Sequence, residues 1–157
     1  MNQSIINQFG TKIWYNEQGQ LHREDGPAVE YADGSKRWYQ HGKSHREDGP
    51  AVEWADGDKW WYQHDKLHRE DGPAIELADG AEWWQDGKLH REDGPAIELA
   101  NGTKWWYQHG MRHRVDGPAY YNILKKRSKK EWWVNNKKLK VTSQKKFERL
   151  MKLKLFW

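Results

Sequence analysis

The sequence predicts an all-β fold: an elongated antiparallel array of β-hairpin repeats, about 23 residues each, followed by a C-terminal capping helix. Three observations predict it. First, His22-Arg23-Glu24-Asp25-Gly26-Pro27-Ala28 returns at His45–Ala51, His68–Ala74 and His90–Ala96, and at His113–Ala119 with Val115 in place of glutamate. The steps between first residues are 23, 23, 22 and 23, and a fixed period in the twenties marks a repeat architecture. Second, between copies lie two short runs rich in β-branched and aromatic residues. Asp33-Gly34, Asp56-Gly57, Asp79-Gly80 or Asn101-Gly102 separates them, which is a hairpin signature. Third, 12 tryptophans and seven tyrosines stand in a chain poor in aliphatic residues. Aromatic rings must therefore carry the burial, and disordered chains lack them.

In chain order, residues 1–9 read as an N-terminal segment, 10–142 as the array and 143–157 as a basic amphipathic helix. The first strand of each unit alternates. Val29 with Tyr31, Val52 with Trp54, Ile75 with Leu77 and Ile97 with Leu99 share one side, and Glu30, Glu53, Glu76 and Glu98 point to the other. Aromatic strands begin near Ile13, Arg37, Trp60, Trp83, Trp105 and Trp132. One column reads Trp14, Trp38, Trp61, Trp84, Trp106, Trp133, with Trp60, Tyr62, Trp105 and Tyr107 on the opposite side. The short third unit reads as lacking a residue at the Tyr62 position, which predicts a register shift or bulge there.

A second turn follows at His41-Gly42, Asp86-Gly87 and His109-Gly110, with Gln18-Gly19 at the start. His64-Asp65 lacks the glycine that reaches positive φ freely, so a strained or different turn is expected. The motif proline is expected at a strand's first residue, since it cannot donate mid-ladder. After Trp132-Trp133 the motif is absent, and Asn135-Asn136 replaces the usual turn. Ser143 then suits an N-cap, and Phe147, Leu150 and Met151, widened by Leu153, Phe156 and Trp157, form an apolar stripe. An open array end needs covering, so this helix reads as a cap. The alternative is a basic amphipathic helix lying on a membrane or in a partner's groove.

Without cysteine, neither a disulfide framework nor a thiolate metal site is available. No apolar run approaches the roughly 20 residues of a membrane span, so a soluble, cytoplasmic protein is expected. The net charge of +4 is uneven: residues 123–157 hold 13 Lys+Arg against Glu131 and Glu148, a balance of +11 that leaves −7 for residues 1–122.

His22, Arg23, Glu24 and Asp25 contain the ingredients of acid–base chemistry. Five equivalent copies, however, belong to the folding of a repeat and not to one pocket with separately tuned groups. Walker loops, nucleophile elbows and dinucleotide fingerprints are absent from the sequence. No catalytic residue, metal site or cofactor is therefore expected. Asp25 and its equivalents should satisfy turn amides, with Arg and Glu pairing between adjacent loops. The candidate binding residues are Arg23, Arg46, Arg69 and Arg91 with the rings of Trp38, Trp61, Trp84 and Trp106. A basic patch of Lys125, Lys126, Arg127, Lys129 and Lys130 is the second candidate.

Trp38-Tyr39-Gln40-His41-Gly42-Lys43, followed by the charged loop and Asp56-Gly57, resembles the MORN repeat family. Matching positions recur at Trp61-Tyr62, at Trp106–Gly110 and less completely at Trp84–Lys88, so the resemblance covers about residues 10–137. It implies a single sheet of successive hairpins acting as a scaffold or binding surface. Where ordinary MORN repeats carry a short Gly-x-Gly, this chain carries the charged loop, which looks like arrays in phage and large-virus proteins. The expected function is thus a non-enzymatic repeat binding or scaffold protein, a viral accessory factor that modulates a host protein in the host-cell cytoplasm. Alternatives are sequestration of a small anionic nucleotide signal, and attachment to nucleic acid or anionic membrane through the basic C-terminal region. Homo-oligomers through sheet edges are a further expectation.

Overall fold

The computed structural model describes residues 3–124 and 127–153, which form antiparallel hairpins and one helix. The strands are β1 (Gln3–Ile6), β2 (Lys12–Tyr15), β3 (Val29–Glu30), β4 (Lys36–Arg37), β5 (Tyr39–Gln40), β6 (Lys43–Ser44), β7 (Val52–Glu53), β8 (Lys59–Trp60), β9 (Tyr62–Gln63), β10 (Lys66–Leu67) and β11 (Ile75–Leu77). They continue with β12 (Gly80–Glu82), β13 (Trp84–Gln85), β14 (Lys88–Leu89), β15 (Ile97–Leu99), β16 (Lys104–Trp105), β17 (Tyr107–Gln108), β18 (Met111–Arg112), β19 (Tyr120–Leu124), β20 (Arg127–Val134) and β21 (Lys137–Leu139) before helix α1 (Gln144–Lys152). Among the described residues no helix is long and apolar enough to cross a membrane.

The chain divides into two units, Met1–Ala78 with Gln85–Gly87, and Asp79–Trp84 with Lys88–Trp157. In the first the main strands lie in the order β1-β2-β3-β4-β7-β8-β11; in the second, β12-β15-β16-β19-β20-β21. The hairpins β5–β6 and β9–β10 of the first unit and β17–β18 of the second pair separately, as small two-stranded sheets.

Register explains the alternation in the first unit. Val29 lies opposite Ile13 and Arg37, Val52 opposite Arg37 and Trp60, and Ile75 opposite Trp60. Directly opposed residues share a face, so this face carries buried β-branched side chains and rings. The other face carries Lys12, Glu30, Lys36, Glu53, Lys59 and Glu76, with Glu30 and Glu53 each opposite two lysines and Glu76 opposite Lys59.

In each copy one tryptophan marks the junction between main ladder and small hairpin. Trp38 donates its N–H to the Ala51 carbonyl at 2.8 Å and accepts the His45 N–H at 3.2 Å. Trp14, Trp61, Trp83 and Trp106 make the equivalent pair of bonds. This corrects the sequence-derived column at Trp84 and Trp133: Trp83 makes the pair of bonds, and the Trp133 carbonyl accepts from Arg114 as those of Tyr39, Tyr62 and Tyr107 accept from Arg23, Arg46 and Arg91, which puts Trp132 in the column. The residue missing from the third unit was taken from the first turn and not from the Tyr62 position. Only Ala78-Asp79 separate β11 from β12, and the expected turn residue Gly80 lies inside β12. A Cβ on Gly80 would sit 2.7 Å from the Glu98 carbonyl oxygen and 2.8 Å from Leu99 Cδ2, so this close pairing requires glycine.

Two further expectations change. The N-terminal segment is part of the array: Ile5 of β1 lies opposite Ile13. Its turn repeats the later ones, with Asn7 Oδ1 accepting the Phe9 and Thr11 N–H groups and Gly10 at φ 77. Pro27 stands two residues before β3, in the loop, where its missing N–H costs nothing and its carbonyl is used.

The second turn keeps one geometry throughout. His41 and Gly42 have φ 49 and 76, and His64 and Asp65 have φ 50 and 64 despite the absent glycine. Asp65 is compensated, since its Oδ1 accepts the Ser44 N–H at 2.7 Å; Asn136 Oδ1 does the same for Arg112 at 2.8 Å.

At the C-terminal end Ser143 caps α1, its side chain accepting the Lys146 N–H. Phe147 is fully buried against Trp132, Val134 and Leu139, with Val141, Leu150 and Met151 around them. The helix therefore packs on the hairpin β20–β21. Phe156 and Trp157 lie outside the described residues.

Candidate functional site

Each charged loop folds around its own arginine. Arg46 donates from Nε to Asp48 Oδ1 at 2.8 Å, and from Nη1 to the Pro50 carbonyl at 3.2 Å and Glu53 Oε1 at 3.1 Å. Its guanidinium carbon lies 4.1 Å from the centre of the Trp38 ring, a cation–π distance. Arg23 over Trp14 and Arg69 over Trp61 repeat the arrangement. In the second unit Arg91 stacks on Trp83 and Arg114 on Trp106, each bonded to its loop aspartate and proline carbonyl.

The arginine partner holds the carboxyls of Asp25, Asp48, Asp71, Asp93 and Asp116 below the usual aspartate range. Ion pairing is thus within a loop and its own first strand, whereas the sequence suggested pairs between loops and aspartates on turn amides. The motif glycine is explained by the same arginine. A Cβ on Gly49 would meet the Arg46 guanidinium carbon at 3.0 Å, and the other four copies show contacts of 2.9–3.1 Å. The motif alanines are fully buried.

The motif histidine joins one copy to the next. His45 Nδ1 accepts the His64 N–H at 3.3 Å, and His22, His68, His90 and His113 accept from His41, Asp86, His109 and Asn135. In His22, His45 and His90 an accepting Nδ1 places the proton of a neutral ring on Nε2, whereas the Nδ1 of His68 and of His113 also faces an acceptor oxygen, of Asp86 at 3.3 Å and of Asn135 at 2.6 Å. Burial, then the neighbouring His109, pushes the His90 pKa down against the opposing pull of Glu92.

One motif residue has no such task. Glu24, Glu47, Glu70 and Glu92 are 83–87% exposed, and each has the motif histidine Nε2 at 3.7–3.9 Å, beyond hydrogen-bonding reach. These carboxylates line the rims of open grooves between successive loops. The first groove, about 600 Å³, is lined by Trp38, Gln40 and Pro27 and by four carboxylates, Glu24, Asp25, Glu47 and Asp48, against two arginines, Arg23 and Arg46. The second, about 560 Å³, repeats it with Trp61, Gln63 and Pro50, the carboxylates of Glu47, Asp48, Glu70 and Asp71, and Arg46 and Arg69. In the second unit a smaller groove of about 350 Å³ runs between Arg91–Gly94 and His113–Asp116, with Val115 where a glutamate would stand. Among the described residues no three His, Asp or Glu side chains gather in a metal-holding arrangement.

The predicted site residues thus fall into three groups. Arg23, Arg46, Arg69 and Arg91 are bonded within their loops, and Trp38, Trp61 and Trp106 lie under arginines and on the grooves. Trp84 belongs to another face; its indole N–H donates to Glu82 at 2.8 Å. Lys125 and Lys126 lie outside the described residues, as does the Arg127 side chain, while Lys129 bonds Glu131 and Lys130 lies over Tyr121. Sequence reasoning assigned the motif glutamates to pairing between loops and did not name them or Gln40 and Gln63 as site residues, although their recurrence with the motif was the available signal. Comparison with known proteins finds no matching family model and no curated protein of similar sequence.

Proposed function

We propose that this chain is a non-catalytic repeat scaffold that binds a protein partner along its charged loops. One observation carries the reading: the same aromatic-based, carboxylate-rimmed groove recurs between successive loops of the first unit with an equivalent lining. A surface that repeats at fixed spacing suits an extended partner engaging several equivalent points, so that weak contacts add through effective concentration. The MORN-like motif agrees with a scaffold role. The viral look of the loops extends the proposal to an accessory factor acting on a host protein in the cytoplasm.

The nucleotide-sequestering alternative asks for guanidinium groups free to meet phosphate. Those of Arg23, Arg46 and Arg69 each already bind two carboxylates and a carbonyl, and each groove is lined by four carboxylates against two arginines. The test fills the grooves from exposed Gln40 and Gln63. The double variant Gln40→Trp, Gln63→Trp should fold as the parent does and lose a partner that the parent captures stoichiometrically from lysate. Equal capture by parent and variant would overturn the reading.

A further inference from the structure

We propose that the loop face of the first unit binds a peptide segment in the polyproline II conformation carrying lysine or arginine at every third residue, one cation to each of Glu24, Glu47 and Glu70. This rests on the protein-binding reading above and names the chemistry of the partner. In the motif, histidine, arginine, aspartate, glycine and alanine are each occupied by folding, and the proline carbonyl holds the arginine. Only the glutamate is left over, extended into solvent at Glu24, Glu47 and Glu70. A carboxylate repeated at the structural period but unused by the structure is suited to an external cation.

The grooves add what a carboxylate row lacks. The linings hold the Trp38 or Trp61 ring and Pro27 or Pro50, apolar surface along which the methylene stem of a lysine or arginine can lie while its charged head reaches a glutamate; their arginines, Arg23, Arg46 and Arg69, are paired with Asp25, Asp48 and Asp71. Residues 1–122 carry −7, so the field around the loops favours a basic partner.

Spacing selects among basic partners. Each copy contributes two main strands, and strands lie about 4.8 Å apart, so equivalent loops recur about every 10 Å. A peptide in the polyproline II conformation has three residues per turn and advances about 3.1 Å per residue, so every third side chain returns to the same side about every 9 Å. Lysines at every third position therefore meet Glu24, Glu47 and Glu70 in turn, whereas contiguous lysines cannot.

Two synthetic peptides test this by fluorescence anisotropy with the full chain at low salt. One repeats Lys-Gly-Ser; the other has the same composition with its lysines contiguous. The spaced peptide should bind about 3–10-fold more tightly, and the triple variant Glu24→Gln, Glu47→Gln, Glu70→Gln should weaken it about tenfold or more, as three modest ion pairs imply. Equal affinity for the two peptides overturns the proposal, because it marks charge attraction alone. So does binding untouched by the triple variant, or preference for a single-stranded oligonucleotide over both peptides. Loss of a captured protein on filling the grooves, with neither peptide bound, would sink this inference and leave the scaffold reading standing.

Discussion

At the residue scale, a repeated motif is a set of separate physical tasks. Gly49 is small because the Arg46 guanidinium folds over it, and Ala51 is small because it is fully enclosed. Gly49→Ala should cost about 1–3 kcal/mol, the range for overpacking, read as a lower denaturation midpoint. Arg46→Lys keeps the charge but loses the fork that reaches Asp48, Pro50 and Glu53 together, and should cost about 1–2 kcal/mol.

Titration belongs at this scale too. Glu131 accepts from Lys138 at 2.8 Å, Lys129 at 3.2 Å and the Trp133 indole, and Lys138 foremost pulls its pKa from 4.5 to about 2 against the cost of burial. Its contribution, on the order of 1–2 kcal/mol given its solvent-exposed lysines, is complete above pH 4.5. It should fall away as pH drops from 4.5 towards 2, and Glu131→Gln should remove that part of the acid dependence. For His90 the folded pKa lies below 6.5, so the unfolded chain takes up the proton first. Stability should decline as pH falls through 6.5 towards that lower value. His90→Asn, whose side-chain oxygen can accept the same N–H without titrating, should flatten this portion of the pH profile.

At the scale of elements, hairpins tolerate changed turn residues when a side chain replaces what the backbone lost. Asp65 occupies positive φ without glycine, and its carboxylate bonds the Ser44 amide. Asp65→Ala loses both the tolerance and the bond and should cost about 1–2 kcal/mol. Asp65→Gly regains the backbone freedom and should stay within about 1 kcal/mol of the parent; thermal midpoints of the two variants separate the effects. The third unit shows the opposite economy, where removing a residue from the first turn brings Gly80 against the Glu98 backbone. Downstream of that turn Glu82 stands where Trp60 stands in the second unit, and Trp84 replaces Tyr62, its indole bonding the glutamate. The last copy makes the same exchange with Glu131 and Trp133.

For the molecule as a whole, the terminal helix shows how a repeat fold ends. Phe147 fills the space over Trp132, Val134 and Leu139 that another copy would otherwise cover. Phe147→Ala should cost about 3–5 kcal/mol and loosen the C-terminal hairpin, detectable as faster amide exchange at Trp132 and Val134.

The sequence by itself determined the hairpin repeat, the Ser143 cap and the second-turn positions, because period, turn chemistry and capping are properties of neighbouring residues. That each loop arginine stacks on a tryptophan was not among its expectations, which had lysines over the rings and the arginines paired with glutamates of adjacent loops. Only the tertiary structure decided that Trp83 and not Trp84 joins the column, since a missing residue can be placed in either turn until the strands pair. Only it separated the motif's folding residues from the outward glutamates, because side chains adjacent in sequence acquire different tasks once each meets its own distant neighbours.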